Sequence, residues 1–172
     1  MTYDLAALYV DPRGPYPALV ADYWDEARDA TGYTGPRRVI AHPPCGPWGK
    51  LKHMCKKQHE RRLAIIAVEQ VRRYGGVLEH PEYSELWNEL ELPPPGFMFP
   101  DAFGGVSYVI AQGDFGHVAP KLTWLYAVGL TVPSWIKQPR GNQAGRVELQ
   151  HSSQRHFTPP HLAELLCQWV SQ

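Results

Sequence analysis

Arg38-Val39-Ile40-Ala41-His42-Pro43-Pro44-Cys45 is the stretch whose reading decides the fold. Its apolar run predicts a buried strand, and the two prolines stop it abruptly. Neither can donate a ladder hydrogen bond, and both fix φ. The next residue is therefore held at the carboxyl end of a strand, where α/β proteins gather their chemistry. That residue is Cys45, whose side chain is a strong nucleophile once its pKa is lowered. An isolated cysteine also packs as a small hydrophobe, and the stretch alone leaves both readings open.

Outward from this stretch the pattern repeats. Gly75-Gly76-Val77-Leu78-Glu79-His80-Pro81 is an apolar strand ending at a carboxylate and a proline, and Val109-Ile110-Ala111-Gln112-Gly113-Asp114-Phe115-Gly116-His117 breaks into a polar loop before Lys121-Leu122-Thr123. The periodicity predicts strands at Leu5–Val10, Arg38–Ala41, Gly76–Leu78, Val106–Ala111 and Leu122–Val128. It predicts helices at Pro17–Ala30, Gln58–Tyr74, Ser84–Glu89 and Pro160–Ser171. In the Gln58–Tyr74 helix, Leu63, Ile66, Ala67, Gln70 and Val71 are spaced as one buried face. Strands alternating with helices predict a single α/β domain over residues 1–172. Its sheet is doubly wound and Rossmann-like, with parallel strands and helices on both faces. Such a sheet gathers Asp11, Cys45, Glu79 and Gln112 at one edge.

Composition narrows the class. Lys and Arg number 17 and Asp and Glu 17, so no global basic field recruits nucleic acid. Three cysteines without disulfide spacing fit a reducing cytoplasm. No signal peptide or membrane span is expected. Proline, at 17 residues, clusters at strand ends and loops and punctuates a fold.

The spaced motifs together resemble the cytosine-C5 DNA methyltransferases, especially the short forms carried by phages and prophages. The family's catalytic Pro-Cys loop looks like His42-Pro43-Pro44-Cys45, and its Glu-Asn-Val strand end looks like Glu79-His80-Pro81. Gln112 to Gly116 and Lys121 to Thr123 look like the phage forms' Gln-x-x-Tyr-Gly and Lys-x-Thr. The tail Arg155-His156-Phe157-Thr158-Pro159-Pro160 is similar to their C-terminal ends. The resemblance covers about three quarters of the chain in order and rough spacing. It implies a truncated methyltransferase-like fold. It also implies S-adenosylmethionine (SAM) as cofactor, DNA or a pyrimidine nucleotide as substrate, and the host cytoplasm as location. Cys45 is the implied nucleophile and Glu79 the partner of N3, with Pro44, Gln112, Lys121 and Thr123 in substrate contact.

The chemistry behind that assignment is nucleophilic activation of a pyrimidine. A thiolate adds to C6, charge moves toward N3, and a carboxyl group at N3 stabilises it, most usefully with a raised pKa. Two departures accompany the resemblance. Asp11-Pro12-Arg13-Gly14-Pro15 stands where the family has its SAM glycines, a stiff turn with one glycine. Asp11, Arg13 and Gly14 are thus the candidates for holding SAM or another co-substrate. After the Lys-Thr strand only about twenty residues remain where the family inserts its target-recognition domain, with Gly141 to Arg146 reading as a flexible loop. A partner subunit then supplies sequence reading, or there is little to supply.

The loop after Cys45 carries Lys50, Lys52, Lys56 and Lys57, which suits phosphate contact, and Trp48 in it suits stacking on a flipped base. His42, Cys45, His53, Cys55 and His59 lack the paired spacing of a zinc site, so no metal is expected. His117, His151, His156 and His161 read as surface or core-edge residues. Two other function classes fit the same sequence. One is a non-catalytic DNA- or partner-binding derivative, regulatory or anti-restriction; the other is a base-hypermodification enzyme using an electrophile other than SAM.

Overall fold

The computed structural model describes residues 2–137 and 157–172. The loop expected at 141–146, His151, and Arg155 and His156 of the tail motif lie outside the described residues. Six strands form one sheet: β1 (Tyr3–Leu8), β2 (Val20–Trp24), β3 (Val39–Ala41), β4 (Gly76–Pro81), β5 (Gly105–Ala111) and β6 (Leu122–Val128). Their order is β2-β1-β3-β4-β6-β5. The first four are parallel neighbours, with Ala7 paired to Ile40 and Ile40 to Val77. β6 runs antiparallel between β4 and β5. The chain leaves β1 to one side for β2 and returns to the other for β3. The gap between β1 and β3 is thus a switch point of the doubly wound plan, where a crevice opens beyond the strand carboxyl ends.

The helices are α1 (Tyr16–Leu19), α2 (Arg61–Tyr74), α3 (Leu86–Glu89) and α4 (Pro160–Val170). Alternation along each strand sorts the sheet into two faces. Ala6, Leu8, Val39, Ala41 and Leu78 pack with Ala64, Ala67, Val68 and Val71 of α2. Leu5, Ala7, Ile40, Val77 and Leu125 pack with Leu162, Ala163 and Leu166 of α4. Leu162 and Leu166 are fully buried, each side chain contributing roughly 1.5–3 kcal/mol. α4 begins on Pro160, whose missing N–H would be unpaired there anyway. The buried face of α2 is set about one residue from the predicted one: Ala67, Gln70 and Val71 are buried, whereas Leu63 and Ile66 are only partly so.

Two expectations are corrected. The helix over Pro17–Ala30 reduces to one turn, and Val20–Trp24 is a strand paired to β1. Val20, Tyr23 and Trp24 favour a pleated surface, and the free edge of β1 supplies the ladder. The sheet is mixed rather than all parallel, because β5 and β6 follow each other without a crossover helix. Among the described residues, no helix is long and apolar enough to cross a membrane.

Candidate functional site

Period-two alternation builds the site. Ile40, Val77, Leu125 and Ile110 face α4, so His42, Glu79, Thr123 and Gln112, two residues further along or back, emerge on the same face. The antiparallel run of β6 brings its first residues to the edge where β3, β4 and β5 end.

At the centre is the carboxylate of Glu79. Its Oε2 lies 2.9 Å from His42 Nδ1, and its Oε1 accepts from Gln112 Nε2 at 2.8 Å. The Tyr16 hydroxyl sits 2.6 Å from His42 Nε2. Burial holds the Tyr16 phenol well above its usual pKa, so it donates to Nε2 and leaves the ring proton on Nδ1, facing Glu79. Gln112 Nε2 also donates to Thr123 Oγ1 at 3.0 Å, and that hydroxyl donates to the Lys121 carbonyl at 3.0 Å. Gln112 Oε1 is buried without a donor among the described residues. The opposite amide orientation would set two acceptor oxygens face to face, so Glu79 dictates this one. An orphaned acceptor costs about 1–3 kcal/mol, offset by the fixed carboxylate.

Burial opposes ionisation of Glu79, but the His42 hydrogen bond, the Lys121 ammonium and the imidazoles of His42 and His80 outweigh it. They bring its pKa down to about 2. The expected raised pKa is therefore corrected: the unliganded site holds a carboxylate, because two donors and a cation meet it.

Cys45 lies four residues beyond β3 and is partly exposed. Burial of its sulfur pushes the thiol up to about 11, the Glu79 charge adds to this, and the Lys121 ammonium opposes it. Cys45, Glu79 and Lys121 thus act on one another. Lys121 Nζ also donates to the Phe157 carbonyl at 3.1 Å, tying the start of α4's segment to the site. Cys167, by contrast, is buried in the core with its thiol pushed up to about 12.

His80 emerges on the opposite face and is buried, its ring stacked on Trp87 with centroids 6.5 Å apart. Ser84 Oγ accepts from the Leu86 N–H and lies 2.8 Å from His80 Nδ1. His80 Nε2 makes no well-formed hydrogen bond. Burial lowers the His80 pKa to about 4, while the Glu79 charge and the Pro44 carbonyl act the other way.

Other predicted residues sit differently. Trp48 is fully buried, its Nε1 donates to the Arg61 carbonyl at 3.2 Å, and the Arg61 guanidinium covers its ring at 3.7 Å. The expected stacking of Trp48 on a base is corrected, since its ring belongs to the core. Lys50 pairs with Glu82 at 3.3 Å, Lys52 with Glu85, Lys57 with Glu60 at 2.9 Å and Arg61 with Glu89. Lys50 and Lys52 thus meet acids of the β4–α3 segment, and Lys57 meets Glu60 just before α2. Asp11 and Arg13 pair with each other at 3.0 Å in solvent.

The Asp11–Gly14 turn closes on itself. Arg13 N–H donates to Asp11 Oδ1 and Gly14 N–H to the Asp11 carbonyl, each at 2.9 Å. Both backbone donors are spent, so these residues do not form the open cradle that a SAM glycine loop offers. Among the described residues, no group of three His, Cys, Asp or Glu side chains could hold a metal ion. A groove of about 540 Å³ lies elsewhere, against the amino end of β1, and is lined by Asp4, Asp22, Arg28 and Arg37 among others. None of the candidate residues lines it.

Tyr16 and the ring orientation of His42 were missed by sequence reasoning, the first because its segment reads as helix. His42 carried a signal, since it stands two residues beyond Ile40 on the same face. No family model, no curated protein and no solved structure matches this chain.

Proposed function

We infer that the chain is a pyrimidine-modifying enzyme in which Cys45 adds to C6 of the base and Glu79 meets N3. One observation carries this reading: the thiol of Cys45, on a partly exposed residue just past β3, and the ionised carboxylate of Glu79 in β4 lie within electrostatic reach, with Lys121 acting on both. The ionised state of Glu79 defines its part. As the S–C6 bond forms, the C5=C6 pair shifts to C4=C5 and the C4=N3 pair moves onto N3. The thiol proton passes to N3, and the Glu79 carboxylate accepts the hydrogen bond of the resulting N3–H. C5 is then an enamine carbon that attacks an electrophile; the C5 proton passes to water as the C5=C6 bond re-forms, and the departing sulfur takes back the proton from N3.

The electrophile is left to experiment, since the first loop does not supply a glycine cradle. That same closed loop favours a second reading, a binding protein derived from such an enzyme. Intact-protein mass after incubation with a 5-azacytosine oligonucleotide tests the choice, with and without SAM. A covalent adduct on wild type and none on Cys45→Ser supports the enzyme, and an added methyl group identifies the donor. No adduct under any condition supports the binder.

A further inference from the structure

Tyr83 is out of character with its surroundings. It lies in the turn after β4, four residues past Glu79, with φ +57° and 67% of its surface exposed. A bulky residue in the left-handed region is a backbone outlier, and such outliers cluster where a side chain is needed in one place. The ring does not flop into solvent. It rests on Trp124 with centroids 5.3 Å apart, and Trp124 in turn packs edge-on against Trp87 at 5.4 Å. Lys50 Nζ stands 5.7 Å from the Tyr83 ring centroid.

The turn is anchored to both halves of the site. Glu82 N–H donates to the Leu122 carbonyl at 3.1 Å, next to Lys121, and Glu85 N–H donates to the Trp48 carbonyl at 3.1 Å, in the Cys45 loop. Four residues of chain span at most about 13 Å, so Tyr83 lies within a few nucleotides of whatever base meets Glu79, on the Trp124 side of the sheet edge, which a strand reaches by rounding that edge. Among the described residues the ring meets Trp124 and the Lys50 ammonium, and most of its surface stays open. If the turn alone mattered, glycine or asparagine would meet its φ at lower cost.

We propose that Tyr83 is a stacking platform for an unpaired base flanking the target pyrimidine, with Lys50 at its margin meeting the adjoining phosphate, so that the substrate is a single-stranded polynucleotide. The proposal rests on the pyrimidine reading of the Cys45 site and names its substrate class. A base within a duplex already has both faces covered, whereas an unpaired base stacks on any exposed aromatic ring. The exposed Lys50–Glu82 pair is weak and yields to a phosphate without large loss.

The test measures binding in the Cys45→Ser background, where no bond can form. The probe is a short fluorescein-labelled oligodeoxycytidine, read by anisotropy at fixed low salt. Its ribose counterpart and its duplex with oligodeoxyguanosine run alongside. Tyr83→Asn, which suits the left-handed backbone, is expected to weaken single-strand binding about ten-fold or more. Tyr83→Trp keeps it, and the duplex binds more weakly than the single strand. Binding of either sugar upholds the platform, and their ratio names the source of the strand. Undiminished binding by a folded Tyr83→Asn, equal binding of duplex and single strand, or no binding at all would overturn it. Adduct formation with the 5-azacytosine strand is scored separately on the intact cysteine. An adduct that forms equally well with Tyr83→Asn removes the platform and leaves the thiolate reading. Tyr83-dependent binding without any adduct does the reverse.

Discussion

Burial sets the behaviour of Cys45, and Glu79 adds to it. Burial raises the thiol to about 11, and the neighbouring carboxylate, itself ionised down to about pH 2, adds to that rise. Near neutral pH the thiol is therefore protonated, and its alkylation by iodoacetamide is slow, rising as pH climbs toward 11. Glu79→Gln removes one negative charge beside the sulfur, which lowers the thiol pKa and moves the whole profile to lower pH. The expected outcome at pH 8 is several-fold faster modification of Cys45 in Glu79→Gln than in wild type, read by peptide mass so that Cys55 is scored apart. An unchanged or slower rate would show that the two groups do not interact. Sequence reasoning placed Cys45 and Glu79 at strand ends from proline punctuation alone. It did not give the ionisation of Glu79, because its partners, His42, Gln112 and Lys121, come from three other segments.

The strands hold the site only because β3 and β4 approach closely. Gly76 has φ +122°, and a Cβ there would lie 1.9 Å from the Val39 carbonyl oxygen, in the backbone of the neighbouring strand. Backbone cannot swing aside as a side chain can. Gly76→Ala is expected to lose at least about 3 kcal/mol of stability or to fail to fold, as measured by urea denaturation followed by circular dichroism. A variant of near wild-type stability would mean that β4 is set differently against β3. The long elements were legible because their periodicity is strong: α2, α4 and the strands at Val39, Gly76, Gly105 and Leu122 fall within a few residues of expectation. β2 was not, because five residues behind a one-turn helix carry little period and the pairing with β1 decides their state.

For the molecule as a whole, the sheet order concentrates chemistry at one edge. Parallel β3 and β4 bring Cys45 and Glu79 side by side, and antiparallel β6 returns Lys121 and Thr123 to the same end. The convergence was foreseeable from alternating strands and helices, but the charge balance around it was not. Lys50 and Lys52 after Cys45 are met by Glu82 and Glu85 from more than thirty residues later, a pairing only the fold creates. Trp48 shows the same limit, since an aromatic beside a nucleophile reads alike whether it faces a substrate or the core. The central claim is that Cys45 adds reversibly to C6 of a pyrimidine. Such addition makes the C5 hydrogen exchangeable even when no electrophile is present, so one measurement addresses it directly. A cytosine oligonucleotide is incubated with the protein in heavy water without cofactor, and the C5 position is read by mass spectrometry and proton NMR. The account predicts deuterium at C5 with wild type and none with Cys45→Ser. Protection of C5 in both, with the oligonucleotide shown to be bound, would contradict it.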